Sequence, residues 1–299
     1  MRQSLVRSAI ACHFNNPGYD LVHELLTLMR PQSMNVWGEL YPHAAGSTAL
    51  NAVFLEAEVW VNQLGYKHEE TIQDALTGEW YTEETRAEML KTEPARLVQV
   101  YKMPESAIVD WLKMPDVAMG SDTMPIIAEG ISWYTSFEDL PNTHPRGAGS
   151  FARALRMWRE NGITLMQSIS QLNYNSARPL GEMGLKAMQE RGRMQEGMVA
   201  DITIFNPATV TDTATYVQGA LPSEGIPYVI VNGTIVVKEA EVLKDVNPGQ
   251  PIRYEPTESR REPLSVESWI NTFYAVPQDF GGGVPGTQPH YKDVVSCCD

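Results

Sequence analysis

The sequence predicts an α/β protein, a parallel sheet or barrel of strands joined by helices, followed by a small β module. Three observations predict it. Short apolar runs with polar ends alternate with amphipathic helical stretches over the first 122 residues. Two further helical stretches follow, near 148–160 and 164–178. After Gly197 the texture changes to apolar–polar alternation, and Asn232-Gly233 separates two β-branched runs. That dipeptide favours a type I′ hairpin turn.

Residues 7–13 read as the first strand. Leu21, Val22, Leu25, Leu26 and Met29 fall on one face of a helix, which Asn16-Pro17 opens, with Asp20 early and Arg30 late as the helix dipole prefers. Residues 35–41 read as a second strand, 97–102 as a third and 116–121 as a fourth, with a short helix from Pro104 and Ser106 towards Leu112. Gly162 separates the two later helices, and Pro179-Leu180-Gly181 is expected to end the second. Strand Val199–Phe205 and the hairpin Tyr228–Val231/Thr234–Lys238 complete the pattern.

The chain divides by composition. Residues 1–196 form the α/β body. Within it, 51–96 is charged and rich in Glu, Trp and Tyr, and reads as an insertion over the sheet end, where α/β folds carry function. Residues 197–256 form the β module, and 257–299 a polar extension with a loose tail around Gly281-Gly282-Gly283.

With 23 basic against 37 acidic residues the net charge is −14, which disfavours nucleic acid and anionic lipid as partners. No stretch reaches the ~18 apolar residues of a membrane span, and no apolar signal region follows Arg2 and Arg7. The three cysteines, Cys12, Cys297 and Cys298, make neither a disulfide framework nor a zinc-ribbon spacing, and fit a reducing, cytoplasmic setting.

Sites in such folds lie at the carboxyl ends of strands. There the sequence places His13, Tyr41 with His43 beyond, Lys102 and Asp122. Singly, each has a plain structural reading: a satisfied strand-end histidine, a turn-capping aspartate, a solvated loop lysine. Together, an imidazole and a carboxylate can hold Zn²⁺ with an open position for water, whose pKa the metal lowers while the carboxylate moves the proton. No phosphate-cradling glycine loop competes. His68 and His290 lie in polar segments without evident partners, and His23 reads as a helix-edge residue.

At this point the residues resemble a known family. Cys12-His13-Phe14-Asn15-Asn16, Tyr41-Pro42-His43-Ala44-Ala45-Gly46-Ser47-Thr48, Gly120-Ser121-Asp122-Thr123-Met124-Pro125 and His144-Pro145-Arg146, in that order, look like the carboxyl-terminal part of metal-dependent amidohydrolases of the D-aminoacylase, or N-acyl-D-amino-acid deacylase, type. Gly192–Ile202, Asn206–Val210 and Val231-Asn232-Gly233 are similar to that superfamily's passage into a β-sandwich. The resemblance runs from about residue 8 to 275.

It implies the carboxyl-terminal part of a (β/α)₈ barrel with a β-sandwich attached. His13 would be a zinc ligand. Asp122 would be a ligand and the catalytic proton shuttle. Arg146 would bind a substrate carboxylate through its bidentate fork, with His144 positioning it. Tyr41 falls where some members carry a further histidine, so His43 would substitute or a second metal would be lost. Ser121 and Lys102 are substrate-binding candidates, and Ser47 and Thr48 read as structural. The substrate would be a small amide bearing a carboxylate.

Two departures stand against the family pattern: the His-x-His pair of the first barrel strand is absent, as is the ligand expected before His13. A whole barrel takes ~250 residues, so the residues before Asp122 suffice for about four of eight units. The expectation is therefore an amidohydrolase acting on non-peptide carbon–nitrogen bonds, complete only with a complementing chain, with self-association, or with further coding sequence. The alternative is a catalytically incomplete remnant. An unrelated α/β binding protein would require the motif matches to be accidental.

Overall fold

The computed structural model describes residues 8–13, 16–123, 125–126, 128–254 and 265. Contacts divide the chain into Met1–Tyr254 and Glu255–Asp299, and the elements below belong to the first unit. The expectations for residues 1–7, Phe14, Asn15, Met124, Gly281–Gly283, His290 and Cys297-Cys298 fall outside the described residues.

Strand β1 (Ser8–Ala11), helix α1 (Tyr19–Met29) and strand β2 (Asn35–Leu40) form a strand–helix–strand unit with the strands parallel, Ser8 opposite Asn35 and Ala11 opposite Gly38. The alternation of β2 buries Val36, Gly38 and Leu40 and sends Trp37 and Glu39 to the other face. Gly18 starts α1 at φ +84, a left-handed value glycine adopts without steric cost.

The chain then leaves this sheet. Strand β3 (Ala45–Ala49), the single turn α2 (His68–Thr71), strand β4 (Ile72–Asp74), helix α3 (Glu83–Thr92) and strand β5 (Leu97–Tyr101) build a separate antiparallel sheet in the order β3-β5-β4. Residues 97–102 were expected in the parallel sheet. Instead β5 runs antiparallel to both neighbours, Ala45 opposite Tyr101 and Ile72 opposite Val100. Val98, Gln99 and Val100 are all buried, so the strand is covered on both faces, and an apolar run of that kind does not reveal its partner. This layer has its own core of Leu50, Leu55, Trp60, Ile72, Tyr81, Val98 and Val100. His68 packs within it, 2 % exposed, and its Nε2 donates to Leu55 O at 3.1 Å, which corrects the expectation of a histidine without a partner. Thr82 caps α3, its hydroxyl accepting from the Thr85 amide while the Thr82 amide donates to the Thr85 hydroxyl.

Helix α4 (Glu105–Leu112) leads back to β6 (Ala118–Met119), which joins β2 in parallel with Leu40 opposite Met119. The order β1-β2-β6 leaves β2 central. The main core gathers Leu26, Val36, Leu40, Ile108, Trp111, Leu112, Val117 and Met119 with Ala152, Leu155 and Trp158 from α5 (Arg146–Glu160). Helix α6 (Leu165–Ile169) continues through a π-helical turn, Ser170–Tyr174, into α7 (Asn175–Glu182). Pro179 does not end this helix as expected. It lies inside α7, where it forgoes the bond to the Asn175 carbonyl, and the stop falls at Gly184, φ +98. The short α8 (Lys186–Gln189) follows.

Strands β7 (Ile202–Ile204), β8 (Tyr228–Val231), β9 (Thr234–Lys238) and β10 (Glu241–Val242) make an antiparallel sheet in the order β10-β9-β8-β7. Asn232 at φ +49 and Gly233 at φ +77 close the β8–β9 hairpin, both central residues having the positive φ of a type I′ turn. No helix among the described residues is long and apolar enough to cross a membrane.

Candidate active site

Parallel pairing carries the ends of β1, β2 and β6 to one edge. His13 lies two residues beyond β1, Tyr41 one beyond β2 and Asp122 three beyond β6. His13 stands between two carboxylates: Nδ1 is 2.9 Å from Glu39 Oε2, and Nε2 is 3.2 Å from Asp122 Oδ1. The other oxygen of Asp122 meets Arg146 Nη1 at 2.6 Å. Asp122 adopts φ +51, an uncommon left-handed value for a non-glycine residue, and such strain clusters at functional sites.

Glu39 escaped the sequence reading. Its signal was an acidic residue on the central strand, two residues before Tyr41 and hence on the same strand face. Gly120 makes room for it: a Cβ there would lie 2.1 Å from Glu39 Oε1. Donation of Nδ1–H to Glu39 leaves Nε2 as the ring nitrogen that faces Asp122. Two ligands on one tetrahedral zinc stand roughly 3.3 Å apart, which matches this pair, and a carboxylate on the far ring nitrogen is the usual support for a metal-bound histidine. The donor set therefore fits a divalent metal at His13 and Asp122. It does not complete one: among the described residues, no group of three or more His, Cys, Asp or Glu could hold a metal ion.

Among the described residues His43 forms no metal-holding group with His13 and Asp122. It is 2 % exposed and packs on the rings of His144 at 5.2 Å and Tyr216 at 6.3 Å, with its Nε2 unpartnered. Burial, with neighbouring His144, Arg153 and Arg146, pushes its pKa well below that of an ordinary histidine. Tyr41, the other position at which the resemblance places a second ligand, is buried as well. Burial raises its phenol to about 12, so it stays protonated, while its ring meets His13 edge-on at 5.4 Å.

Arg146 is the first residue of α5, 3 % exposed, not a loop arginine. Its guanidinium lies over the Tyr41 ring, 5.2 Å from the centroid. His144 fixes where it starts: Nε2 donates to Ala45 O at 2.9 Å, and Nδ1 accepts the Arg146 backbone N–H at 3.1 Å. Burial and then the Arg146 charge hold His144 down to about 3, so it remains neutral in this role. The Nε of Arg146 is buried with no hydrogen-bond partner among the described residues.

Lys102 follows β5, and its ammonium donates to Asn16 Oδ1, while Asn16 Nδ2 donates to the His13 carbonyl at 2.9 Å. Burial and then the nearby Arg146 lower its pKa, partly offset by Asp122. Ser121 is half-buried beside Asp122. The structure thus gathers His13, Asp122, Arg146, Tyr41 and Lys102 around one edge, adds Glu39 and Gly120, and sets His43 and His144 behind them.

No protein-family profile matches the sequence. An N-acyl-D-glutamate deacylase of Alcaligenes xylosoxydans xylosoxydans is 38% identical over 108 residues, which are 34% of this chain and 21% of that protein. A D-aminoacylase of the same organism is 34% identical over 141 residues, 46% of this chain and 26% of the relative. Among solved structures, the N-acyl-D-glutamate deacylase of Bordetella bronchiseptica, complexed with zinc and a phosphonate mimic of the tetrahedral intermediate, superposes with a TM-score of 0.62 at 26% identity. That match covers 83% of this chain and 50% of the solved one. The chain thus spans about half of that structure, and its sequence match covers about a quarter or less of the curated relatives.

Proposed function

We propose that this chain, a homologue of the D-aminoacylase type of amidohydrolases, supplies the proton-shuttle and carboxylate-binding side of an N-acyl-D-amino-acid deacylase site. The parallel sheet is then an arc of a (β/α)₈ barrel and the four-stranded sheet part of a β-sandwich. The observation that carries the reading is the sharing of one carboxylate, Asp122, between His13 Nε2 and Arg146 Nη1.

His13 and Asp122 would hold a divalent metal, zinc by analogy with the Bordetella structure. Bound there, the metal would polarise the amide carbonyl and acidify a water. Asp122 takes the proton from the attacking water as the oxygen bonds to the carbonyl carbon. It then delivers that proton to the departing nitrogen, the carbon–nitrogen bond breaks, and a free acid and an amine result. Arg146 offers Nε to the substrate carboxylate while Nη1 stays on Asp122, which fixes the scissile bond relative to the base. Glu39 keeps the His13 ring oriented, and His144 and Tyr41 hold the arginine.

A second reading rests on the absence of a three-ligand group among the described residues. Catalysis would then need ligands from outside them, whether from more of the same protein or from a second chain, and without those the fold would be catalytically silent.

Elemental analysis of the purified chain, beside His13→Ala and Asp122→Ala, tests the metal site. About one zinc per chain, lost in both variants, supports it. Zinc at background, or zinc indifferent to both changes, overturns a site formed by these residues alone. Release of amine from N-acetyl-D-amino acids then tests catalysis.

A further inference from the structure

We infer that Lys102 is a specificity-determining residue of the proposed site, binding a second carboxylate, so that the preferred ligand is an N-acyl-D-amino acid with an acidic side chain. This rests on the deacylase reading and deepens it.

The two cations at the site differ in how they are compensated. Arg146 has a carboxylate on Nη1 at 2.6 Å and keeps a buried Nε in reserve. That arrangement serves one ligand carboxylate. Lys102 is half-buried, and among the described residues its ammonium meets a neutral amide oxygen, that of Asn16, rather than a carboxylate. A partly desolvated ammonium whose acceptor is an amide oxygen is stabilised further by an anion.

Its position is fixed by backbone. The register Ala45 opposite Tyr101 sets Lys102 beside the Tyr41–Ala45 segment, and the Tyr66 hydroxyl donates to the Lys102 carbonyl at 3.1 Å. Asn16 ties the ammonium to the His13 carbonyl. Lys102 therefore approaches the edge from the antiparallel sheet, whereas Arg146 approaches from α5. Two cations on different elements suit two anionic groups of one ligand better than a single carboxylate. Lysine suits this role: it is a point charge on a flexible stem and accepts side chains of differing length.

The test is calorimetric binding of N-acetyl-D-glutamate and its neutral analogue N-acetyl-D-glutamine to the full chain and to Lys102→Met, Lys102→Arg and Arg146→Met. The expected result is that Lys102→Met weakens N-acetyl-D-glutamate about tenfold or more and leaves N-acetyl-D-glutamine within about twofold, while Lys102→Arg retains the preference. Arg146→Met should weaken both ligands. Equal weakening of both by Lys102→Met, or no weakening of either, overturns the assignment of Lys102 while the site reading stands. Binding of neither ligand to the unaltered chain, or binding indifferent to Arg146→Met, overturns the site reading and this inference with it.

Discussion

Asp122 joins a residue just beyond β1 to the first residue of α5: its Oδ1 faces His13 Nε2 at 3.2 Å and its Oδ2 pairs with Arg146 Nη1 at 2.6 Å. The aspartate side chain is 28% exposed and the arginine 4%, so the carboxylate is what makes the buried guanidinium tolerable. Asp122→Ala should destabilise the fold by about 3 kcal/mol, because it strands a buried charge. The double variant Asp122→Ala/Arg146→Met should recover part of that loss. Urea unfolding of the three variants checks it, and a double variant no more stable than Asp122→Ala would contradict the account.

Glu39 and Gly120 make a linked prediction about the metal. Glu39→Gln removes the carboxylate from His13 Nδ1 and should weaken zinc about 10- to 100-fold in a competition titration. Gly120→Ala should do the same by another route. Its new Cβ would fall 2.1 Å from Glu39 Oε1, the end of a flexible side chain, so the carboxylate swings away at small cost in stability. Zinc binding unchanged in Gly120→Ala would show that the recess has no part in holding the histidine.

The outline of this arrangement was legible in the sequence, and the reasons are local. A short apolar run with a polar end marked β2, the Asn232-Gly233 dipeptide marked the β8–β9 hairpin, and the polar residues at strand ends marked His13 and Asp122. Local signals could not assign β5, since a strand buried on both faces carries no alternation to show which sheet it joins. They also could not show how His43 packs. A histidine two residues from a strand-end tyrosine looks like a ligand, yet the turn in which its N–H donates to Tyr41 O at 2.9 Å belongs to a segment that buries its ring against His144 and Tyr216. Glu39 went unseen because its partner is 26 residues away.

His43 and His144 should make the fold acid-sensitive in a range where carboxylates still carry charge. Both have folded pKa values below the ordinary histidine value near 6.5, His144 at about 3, owing first to burial and then to neighbouring histidine and arginine groups. The unfolded chain therefore binds more protons between these values, and stability is lost as pH falls from about 6.5. His144→Gln, which can still accept from the Arg146 amide, should flatten that slope between pH 6.5 and 4.5. Thermal midpoints across that range decide it, and a slope unchanged in the variant would assign the effect elsewhere.

Asp74 governs a lower range and a different layer. Burial raises its pKa, but hydrogen bonds from Arg96, the Tyr81 hydroxyl and the amides of Thr77 and Leu76 outweigh this and hold it down to about 2. Tyr81 donates to Oδ2 at 2.6 Å, and Arg96 spans both oxygens with Nε at 2.9 Å and Nη2 at 3.2 Å. Because the folded pKa lies below the ordinary aspartate value near 4, the contribution is complete above about 4 and is lost as pH falls towards 2. Asp74→Asn keeps the shape and removes the charge. It should destabilise the antiparallel layer at neutral pH and lose the part of the acid slope that lies below pH 4. Hydrogen exchange at β4 and β5 localises the effect: protection of the Val98 and Val100 amides should fall in Asp74→Asn while that of β2 is kept. Equal loss in both sheets would mean that the two cores open as one cooperative unit rather than as separate layers.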